Sequence, residues 1–281
     1  MASRLRVIES IEERVVRCER CPELRDYCAR VGRERRRSFS TWTYWASPVP
    51  AFGDAAAPLV ILGLAPAAHG ANRTGRMFTG DRSGDFLYAA LHRANLANQP
   101  HAISRDDGLQ LKGVFITASL RCAPPANRPL PAQLERCRPY LVEELAALRP
   151  RVILALGGIA WETALATLGA TGVTIPRPRP RFAHGAACRL PHAPLLLGCY
   201  HVSQQNTFTG RLTPGMIDEV LALAKMEAGL NAATSKEAVG ASASGQNPGL
   251  ARVDVEPPRP KASRVPREGA RSTARAPTGP G

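Results

Sequence analysis

Four short apolar runs predict buried β-strands along this chain. They span residues 59–63, 113–117, 151–156 and 195–200. Segments with helical patterning separate them, at 85–96, 131–148 and 159–168. Strands that alternate with helices are typical of a parallel sheet covered by helices on both faces. We therefore predict an α/β protein with three layers, α/β/α, around a central four-stranded parallel sheet.

The two ends of the chain differ in pattern. Residues 3–17 place apolar side chains near helical spacing, and residues 216–228 predict a closing helix. Beyond residue 231 the chain is rich in proline and glycine and contains no aromatic residue and no isoleucine. Such a segment cannot bury enough apolar surface to offset its ordering entropy. We predict one folded domain over 1–231 and a disordered basic tail over 232–281.

The composition argues against two classes of protein. The chain has no run of about eighteen apolar residues, so we predict no membrane span. The N-terminal residues carry charges throughout and lack the apolar stretch of a secretory signal. Seven cysteines in 281 residues suit a reducing compartment better than a disulfide framework.

A strong positive charge points to an anionic partner. The formal net charge is +14, and the tail contributes eight basic and four acidic residues, so most of the excess belongs to the folded part. A field of this size attracts polyanions, nucleic acid above all. A high-GC genome would explain arginine in place of lysine but not the excess of basic over acidic residues. Residues 30–37 hold five arginines and predict a basic loop, either solvated or in contact with phosphates.

Four cysteines form two widely separated pairs, Cys18 with Cys21 and Cys122 with Cys137. Thiolates at such spacing can converge on zinc or hold an iron–sulfur cluster. The alternative is four buried cysteines without a ligand, since free cysteine is commonly buried. Cys28 is close enough in sequence to replace one of the four.

Polar, turn-rich segments follow three of the predicted strands directly. They span residues 63–76, 119–127 and 201–206. In open parallel sheets, ligands bind in the crevice at the carboxyl ends of the strands. We expect these three segments to meet at one site.

These segments resemble the motifs of the uracil-DNA glycosylase superfamily. Residues 63–85 contain Asn72-Arg73-Thr74-Gly75-Arg76 and Phe78-Thr79-Gly80-Asp81, and they are similar to the first motif of the type B, or family 5, enzymes. Residues 201–206 resemble the His-Pro-Ser-Pro-x-Asn segment, with Val202 where proline is usual. The cysteine spacing is similar to that of the [4Fe–4S] ligands in families 4 and 5. The resemblance covers residues 10–228 and implies a uracil-DNA glycosylase-like domain.

Two departures favour family 5 over family 4. Family 4 members carry an acidic residue where this chain has Leu64, and an asparagine that reads uracil where it has Ala118. A pocket that demands a hydrogen bond rejects analogues strongly, whereas an apolar wall does not. The resemblance therefore implies relaxed base specificity.

The resemblance also implies roles for individual residues. Asp81 would orient the attacking water or stabilise the cationic sugar, Asn127 would hold the same water, and His201 would bind the carbonyl oxygen of the leaving base. Phe78 would stack on the flipped base. The base-binding residues beside it are Ala67, Ala68, His69, Gly63 and Ala118.

Structural roles remain open for each of these residues. Asp81 alone would be interpreted as a cap for the helix predicted near Asp85, and we interpret Asp85 as the capping or helix-start residue. Asn127 can shape a turn. His201 and Phe78 are residue types that are common in protein cores.

The segment after the histidine motif resembles the loop that enters the duplex as the base leaves. Phe208, Arg211 or Leu212 would be the wedge that fills the vacated stack. The alternative is an ordinary surface loop.

The implied function is that of a monofunctional DNA glycosylase that initiates base excision repair. It would hydrolyse the N-glycosidic bond of uracil and of other deaminated bases (hypoxanthine, xanthine, ethenocytosine) in double- and single-stranded DNA. We expect a structural [4Fe–4S] cluster on Cys18, Cys21, Cys122 and Cys137, a monomer without a membrane partner, and a cytoplasmic, nucleoid-associated location. The alternatives are a strict uracil-DNA glycosylase of the family 4 kind and a non-catalytic iron–sulfur or zinc DNA-binding module.

Overall fold

A six-stranded sheet lies at the centre of the computed structural model, which describes residues 2–231. The strands are β1 (Phe52–Gly53), β2 (Leu59–Gly63), β3 (Val114–Ala118), β4 (Val152–Leu156), β5 (Ala187–Cys188) and β6 (Leu195–Cys199). Their order across the sheet is β1-β3-β2-β4-β6-β5. The four central strands are parallel, and each corresponds to a predicted apolar run.

The two edge strands were not predicted, so the expected count of four strands is corrected to six. Both pair antiparallel with their neighbours and are two residues long. Segments this short carry no apolar run that a sequence pattern can register. At Gly53, φ is 136°, and an added Cβ would lie 2.3 Å from the carbonyl oxygen of Val114. Glycine therefore permits the close pairing of β1 with β3.

Helices cover both faces of the sheet. The helices of the described residues are α1 (Ala2–Val16), α2 (Pro22–Glu34), α3 (Ala71–Thr74), α4 (Arg82–Arg93), α5 (Pro131–Leu148), α6 (Gly158–Ala170), α7 (Gln204–Phe208) and α8 (Pro214–Ala228). Short 3-10 turns lie at Arg37–Phe39 and Pro125–Asn127. The five predicted helices are present. The predicted loop over 30–37 is partly wrong, because α2 continues through Glu34 and buries Leu24, Cys28 and Val31 at helical spacing.

Two hydrophobic cores confirm the three-layer architecture. Alternate residues of the central strands, such as Ile61 and Leu154, pack with α4 and α8 on one face. Their neighbours, such as Val60 and Ile153, pack with α1, α5 and α6 on the other. Strands buried on both faces explain why the predicted runs are continuously apolar. The polar loops therefore gather at the strand ends.

The N-terminal helices are fastened to α5 by ion pairs. Arg14 of α1 pairs with Glu143, and Arg136 lies 2.8 Å from Glu23 of α2. Among residues 2–231, no helix is both long enough and apolar enough to cross a membrane. The predicted tail over 232–281 lies outside the described residues, and the domain boundary at 231 stays a prediction.

Candidate active site

The carboxyl ends of the central strands surround a cavity of about 460 Å³. The three polar segments that follow β2, β3 and β6 all contribute to its wall, as the sequence pattern predicted. Its lining includes Phe78, Asp81, Ala118, Asn127 and His201. A wider groove of about 970 Å³ shares Ala67, Asp81, Asn127 and Ser203 with it.

Asp81 uses its two carboxylate oxygens differently. It is the N-cap of α4, and its Oδ1 accepts a hydrogen bond of 3.0 Å from the N–H of Gly84. Its Oδ2 lies against Gly70, where an added Cβ would come within 2.0 Å of it. The capping alternative is therefore confirmed for Asp81, and the second oxygen still lines the cavity. Asp85 is not the cap, but it lies in the first turn of α4 with an exposed side chain, so only the helix-start alternative for Asp85 is confirmed.

The surroundings of Asp81 disfavour its charged form. Burial raises the pKa of its carboxyl above the ordinary value, and the charge of Asp85 acts in the same direction. The N–H groups of Gly84 and Ser83 and the cation of Arg73 oppose this rise in pKa. Perturbed carboxylates of this kind are typical of functional sites.

Asn127 lies at the rim shared by the cavity and the groove. Its φ is 55°, and Ala126 before it has φ of 52°, so two consecutive residues adopt the left-handed conformation. The backbone N–H of Asn127 donates to the carbonyl of Pro124 over 3.1 Å. The turn-shaping role is therefore present, and the same turn exposes the side chain beside the cavity.

His201 follows β6 and lines the cavity. Its carbonyl oxygen accepts a hydrogen bond of 2.8 Å from the side-chain amide of Asn206. Its Cβ packs close to Gly157, where an added Cβ would lie 3.2 Å away. Burial lowers the pKa of the imidazole. The side chain is therefore neutral near pH 7, and within residues 2–231 its ring nitrogens have no hydrogen-bond partner.

The base-binding candidates other than Gly63 line the cavity, the groove or both, whereas Gly63 lines neither. Phe78 packs its ring against Gly63, where an added Cβ would be 2.7 Å from Cζ, and Ala118 pairs with Gly63 across β2 and β3. Ala67 lines both the cavity and the groove. Ala68 lines only the groove.

His69 also lines only the groove. Its Nδ1 is 3.0 Å from the hydroxyl of Tyr44. Burial, with the charges of Arg36 and Arg73, lowers the pKa of its imidazole. This pairing anchors His69 beside the groove and away from the smaller cavity.

The predicted wedge segment is only partly exposed. The side chain of Phe208 at the end of α7 is 72% exposed. Arg211 is also exposed and lies over the ring of Tyr200 at 4.8 Å. Leu212 is 1% exposed and belongs to the core beneath α8, so it is wrong as a wedge candidate. Phe208 and Arg211 stay predictions.

The four predicted ligand cysteines line one small cavity. Cys18 and Cys21 flank the turn between α1 and α2, Cys122 follows β3, and Cys137 lies in α5. Burial raises the pKa of the Cys137 thiol to about 11. Cys28 does not line this cavity, and its thiol donates to the carbonyl of Ala123 over 3.7 Å. In the described part of the chain, no three histidine, cysteine or acidic side chains converge closely enough to hold a single metal ion, whereas a [4Fe–4S] cluster binds each of its four thiolates through a different iron.

The family model "Uracil DNA glycosylase superfamily" matches residues 50–225, a span that holds the cavity and its three loop segments. The chain belongs to the uracil DNA glycosylase superfamily. The superfamily is one of DNA glycosylases, so the chain is a DNA glycosylase.

Curated relatives confirm the resemblance to the type 5 branch. A "Type-5 uracil-DNA glycosylase" from Mycobacterium bovis is 53% identical over 215 residues, which are 76% of this chain and 79% of the relative. Another from Thermus thermophilus is 48% identical over 223 residues, covering 79% of this chain and 99% of the relative. By contrast, a "Type-4 uracil-DNA glycosylase" from Pyrobaculum aerophilum is 29% identical over 163 residues, 58% of this chain and 66% of the relative.

The sequence pattern assigned no role to Arg73, which lines the groove beside the site. Its side chain is 3% exposed, and its guanidinium lies 3.9 Å from the ring centre of Phe39 and 4.1 Å from that of Trp42. It donates to the carbonyls of His69, at 2.8 Å, and Gly80, at 2.7 Å. It therefore fixes the loop immediately before Asp81. The sequence signal that could have pointed to this role of Arg73 was the group of aromatic residues, including Phe39 and Trp42, that follows the arginine-rich segment 30–37.

Proposed function

We propose that this chain is a monofunctional glycosylase that removes uracil and other deaminated bases, namely hypoxanthine, xanthine and ethenocytosine, from DNA. One observation carries the proposal. Asp81, Asn127 and His201 come from three separate loops and line a single cavity whose wall includes Ala67 and Ala118. Base excision repair would begin with the abasic site that the enzyme leaves.

The chemistry assigns a task to each polar group. Breaking the N-glycosidic bond leaves a cationic sugar and an anionic base. The free oxygen of Asp81 stabilises the sugar and orients the water, with Asn127 as the second partner of that water. The neutral imidazole of His201 donates a hydrogen bond to the base oxygen as negative charge develops there.

The apolar wall accounts for tolerance toward several bases. Ala118 stands at the end of β3 with no amide to demand a matching hydrogen-bond pattern, and Ala67 is similarly small. A cavity of about 460 Å³ falls within the size range of small-molecule sites. Such a pocket accepts a flipped purine as well as a pyrimidine.

Water, and not a lysine amine, is the nucleophile in this proposal. The two lysines within residues 2–231 are Lys112 and Lys225, and neither lines the cavity or the groove. Lys225 instead donates to the carbonyl of Ala94. A Schiff-base mechanism therefore lacks a placed amine in this part of the chain.

A [4Fe–4S] cluster on Cys18, Cys21, Cys122 and Cys137 is part of the proposal. Four thiols around one cavity suit the thiolate ligand set of such clusters. When bound, the cluster would cross-link α1, α2 and α5 to the loop after β3 and would carry no step of the reaction. Protein purified anaerobically should contain about four irons per chain. Stoichiometric zinc without iron would contradict this assignment.

The partner is DNA, and we propose a monomer that acts in the cytoplasm at the nucleoid. The exposed basic residues Arg36 and Arg82 line the groove, where they suit contact with the phosphates of the strand. Phe208 and Arg211 would occupy the space that the flipped base leaves.

Single-turnover excision tests the substrate assignment. Duplexes with one uracil, hypoxanthine, xanthine, ethenocytosine or normal base are incubated with the protein, and abasic sites are then cleaved with alkali. We expect excision of uracil and hypoxanthine, with hypoxanthine faster from a mismatch because flipping is easier there. Uracil-only activity would favour the strict alternative, and no excision at all would favour the non-catalytic module.

Ala118→Asn provides the matched variant for the same assay. The added amide donates and accepts hydrogen bonds that suit uracil, and it narrows the pocket against purines. We expect the ratio of uracil to hypoxanthine excision to rise by at least about tenfold, the discrimination that about 1.4 kcal/mol supplies. An unchanged ratio would show that Ala118 does not face the base.

A further inference from the structure

We infer that Arg25 and Arg121 form a set of N–H donors for the iron–sulfur cluster and raise its reduction potential. The inference rests on the proposed cluster. Three guanidinium nitrogens carry it: Nη1 of Arg25, and Nε and Nη1 of Arg121. All three are buried without a hydrogen-bond partner among the described residues. Both arginines line the cavity that the four cysteines share.

Arg121 is held in place by one carboxylate. Its side chain is 2% exposed, and its Nη2 lies 2.5 Å from Oε2 of Glu144. The same oxygen accepts a bond of 2.7 Å from the hydroxyl of Thr117. This pair fixes the guanidinium while Nε and Nη1 remain free. Buried donors without partners are strongly unfavourable, so their presence beside the cysteines points to an acceptor there.

Arg25 lies one turn into α2, after Cys21. It takes part in no ion pair within residues 2–231 and makes no side-chain hydrogen bond there. Among the described residues, the cavity is lined by two further arginines, Arg20 and Arg136, and by no carboxylate. The wall of the cysteine site is therefore cationic.

This arrangement suits an anionic group with sulfur acceptors. A cluster bound by four thiolates is anionic, and each added electron makes it more so. Hydrogen bonds to the sulfurs and nearby positive charge stabilise the reduced form more than the oxidised form, which raises the reduction potential. Four unliganded thiols would give these donors no comparable acceptor.

Arg25→Gln is the variant that tests the inference. It removes the charge without leaving a carboxylate unpaired, because Arg25 has no such partner in the part of the chain that the structure describes. Arg33→Gln on the same helix is the matched control, since Arg33 is exposed and does not line the cavity. The measurements are the midpoint potential of the cluster in the full chain and the rate of iron release to a chelator.

In Arg25→Gln, we expect the equilibrium constant for reduction of the cluster to fall by about tenfold. For a one-electron step this lowers the midpoint potential by about 59 mV. Iron should also leave it several-fold faster than it leaves Arg33→Gln. Arg121→Lys keeps a cation beside Glu144 but loses the planar donors, so it should lower the potential in the same direction. A potential and a release rate equal to those of the control in both variants would overturn the inference.

Iron content and uracil excision of the unmodified protein separate this inference from the function. If the protein holds iron and excises uracil while both variants match the control, only the donor assignment fails. If it holds no iron, the donor assignment and the cluster both fail, whereas the glycosylase proposal still depends on excision alone.

Discussion

Asp81 serves both the stability of α4 and the cavity, and the two tasks separate in one variant. Asparagine is as good an N-cap as aspartate, so Asp81→Asn keeps the bond to Gly84. Loss of the charge should lower single-turnover excision by about 100- to 1000-fold, as for other preorganised electrostatic groups. DNA affinity should change little. Asp85→Asn is the control, and a larger loss there would move the catalytic role to Asp85.

The same variant should not lose stability. The pKa of Asp81 is raised in the fold, chiefly by burial, so the folded protein binds this proton more tightly than the unfolded chain does. Stability therefore falls as pH rises through the raised pKa, and at neutral pH the ionised carboxylate is unfavourable. Thermal melts at pH 7 should show Asp81→Asn equal to or above the unmodified protein. A clear drop in melting temperature would contradict this account.

His201 predicts a different pH dependence. Burial lowers its pKa below 6.5, so the unfolded chain binds the proton more tightly. The neutral His201 side chain therefore contributes stability above the ordinary pKa of histidine. This contribution is lost as the pH falls toward the lowered pKa of His201 in the folded protein. When the pH is lowered from about 7 to about 5, the unfolding free energy should therefore fall less in His201→Ala than in the unmodified protein. It should also excise about 100- to 1000-fold more slowly. His92→Ala, at an exposed position of α4, should match the unmodified protein in both measurements.

At the scale of elements, one ion pair organises the long connection between α4 and β3. Asp107 accepts bonds of 2.8 and 2.7 Å from Nη1 and Nη2 of Arg76, and another of 2.7 Å from the N–H of Ile103. Burial alone would raise the pKa of Asp107, but these bonds lower it to about 2. The connection is thereby fixed to the motif segment, and it presents Ile103 at the rim of the groove.

Asp107→Asn tests this connection. It leaves the guanidinium of Arg76, 4% exposed, without its counter-charge, and breaking a buried pair costs about 3–5 kcal/mol of unfolding free energy. The stability supplied by the carboxylate is present above its ordinary pKa of 3.8 and lost as pH falls toward about 2. Urea unfolding should show that the variant is weakened at neutral pH and less sensitive to acid. Asp106→Asn, exposed and adjacent, should behave like the unmodified protein.

At the scale of the whole molecule, positive charge governs the encounter with DNA. The formal charge is +14, and the tail over 232–281 supplies a minor share. Each phosphate contact releases a counterion, so log K should fall linearly with log salt by about 0.9 per contact. Deleting 232–281 should weaken binding while single-turnover excision on saturating DNA is retained. Loss of excision in that truncation would contradict a dispensable tail.

The sequence by itself determined the central strands, the α/β class and the family. Apolar runs such as those of β2 and β4 are local patterns that burial on both faces imposes, so they can be identified without coordinates. The motif segments around Asp81 and His201 were identified for the same reason, since each is contiguous. The exceptions are local as well: residues 30–37 were predicted as a basic loop, although α2 continues through Glu34 and buries Leu24, Cys28 and Val31.

Tertiary structure alone decided which side chains face which partner. It assigned the helix cap to Asp81 and not to Asp85, and it placed Leu212 in the core. It also stacked Arg73 on Phe39 and Trp42. These outcomes depend on contacts between segments that are distant along the chain, or on a helix start that shifts by three residues. Hydrophobic periodicity reports whether a residue is buried, but the partner that a buried polar group meets is fixed only when the elements pack.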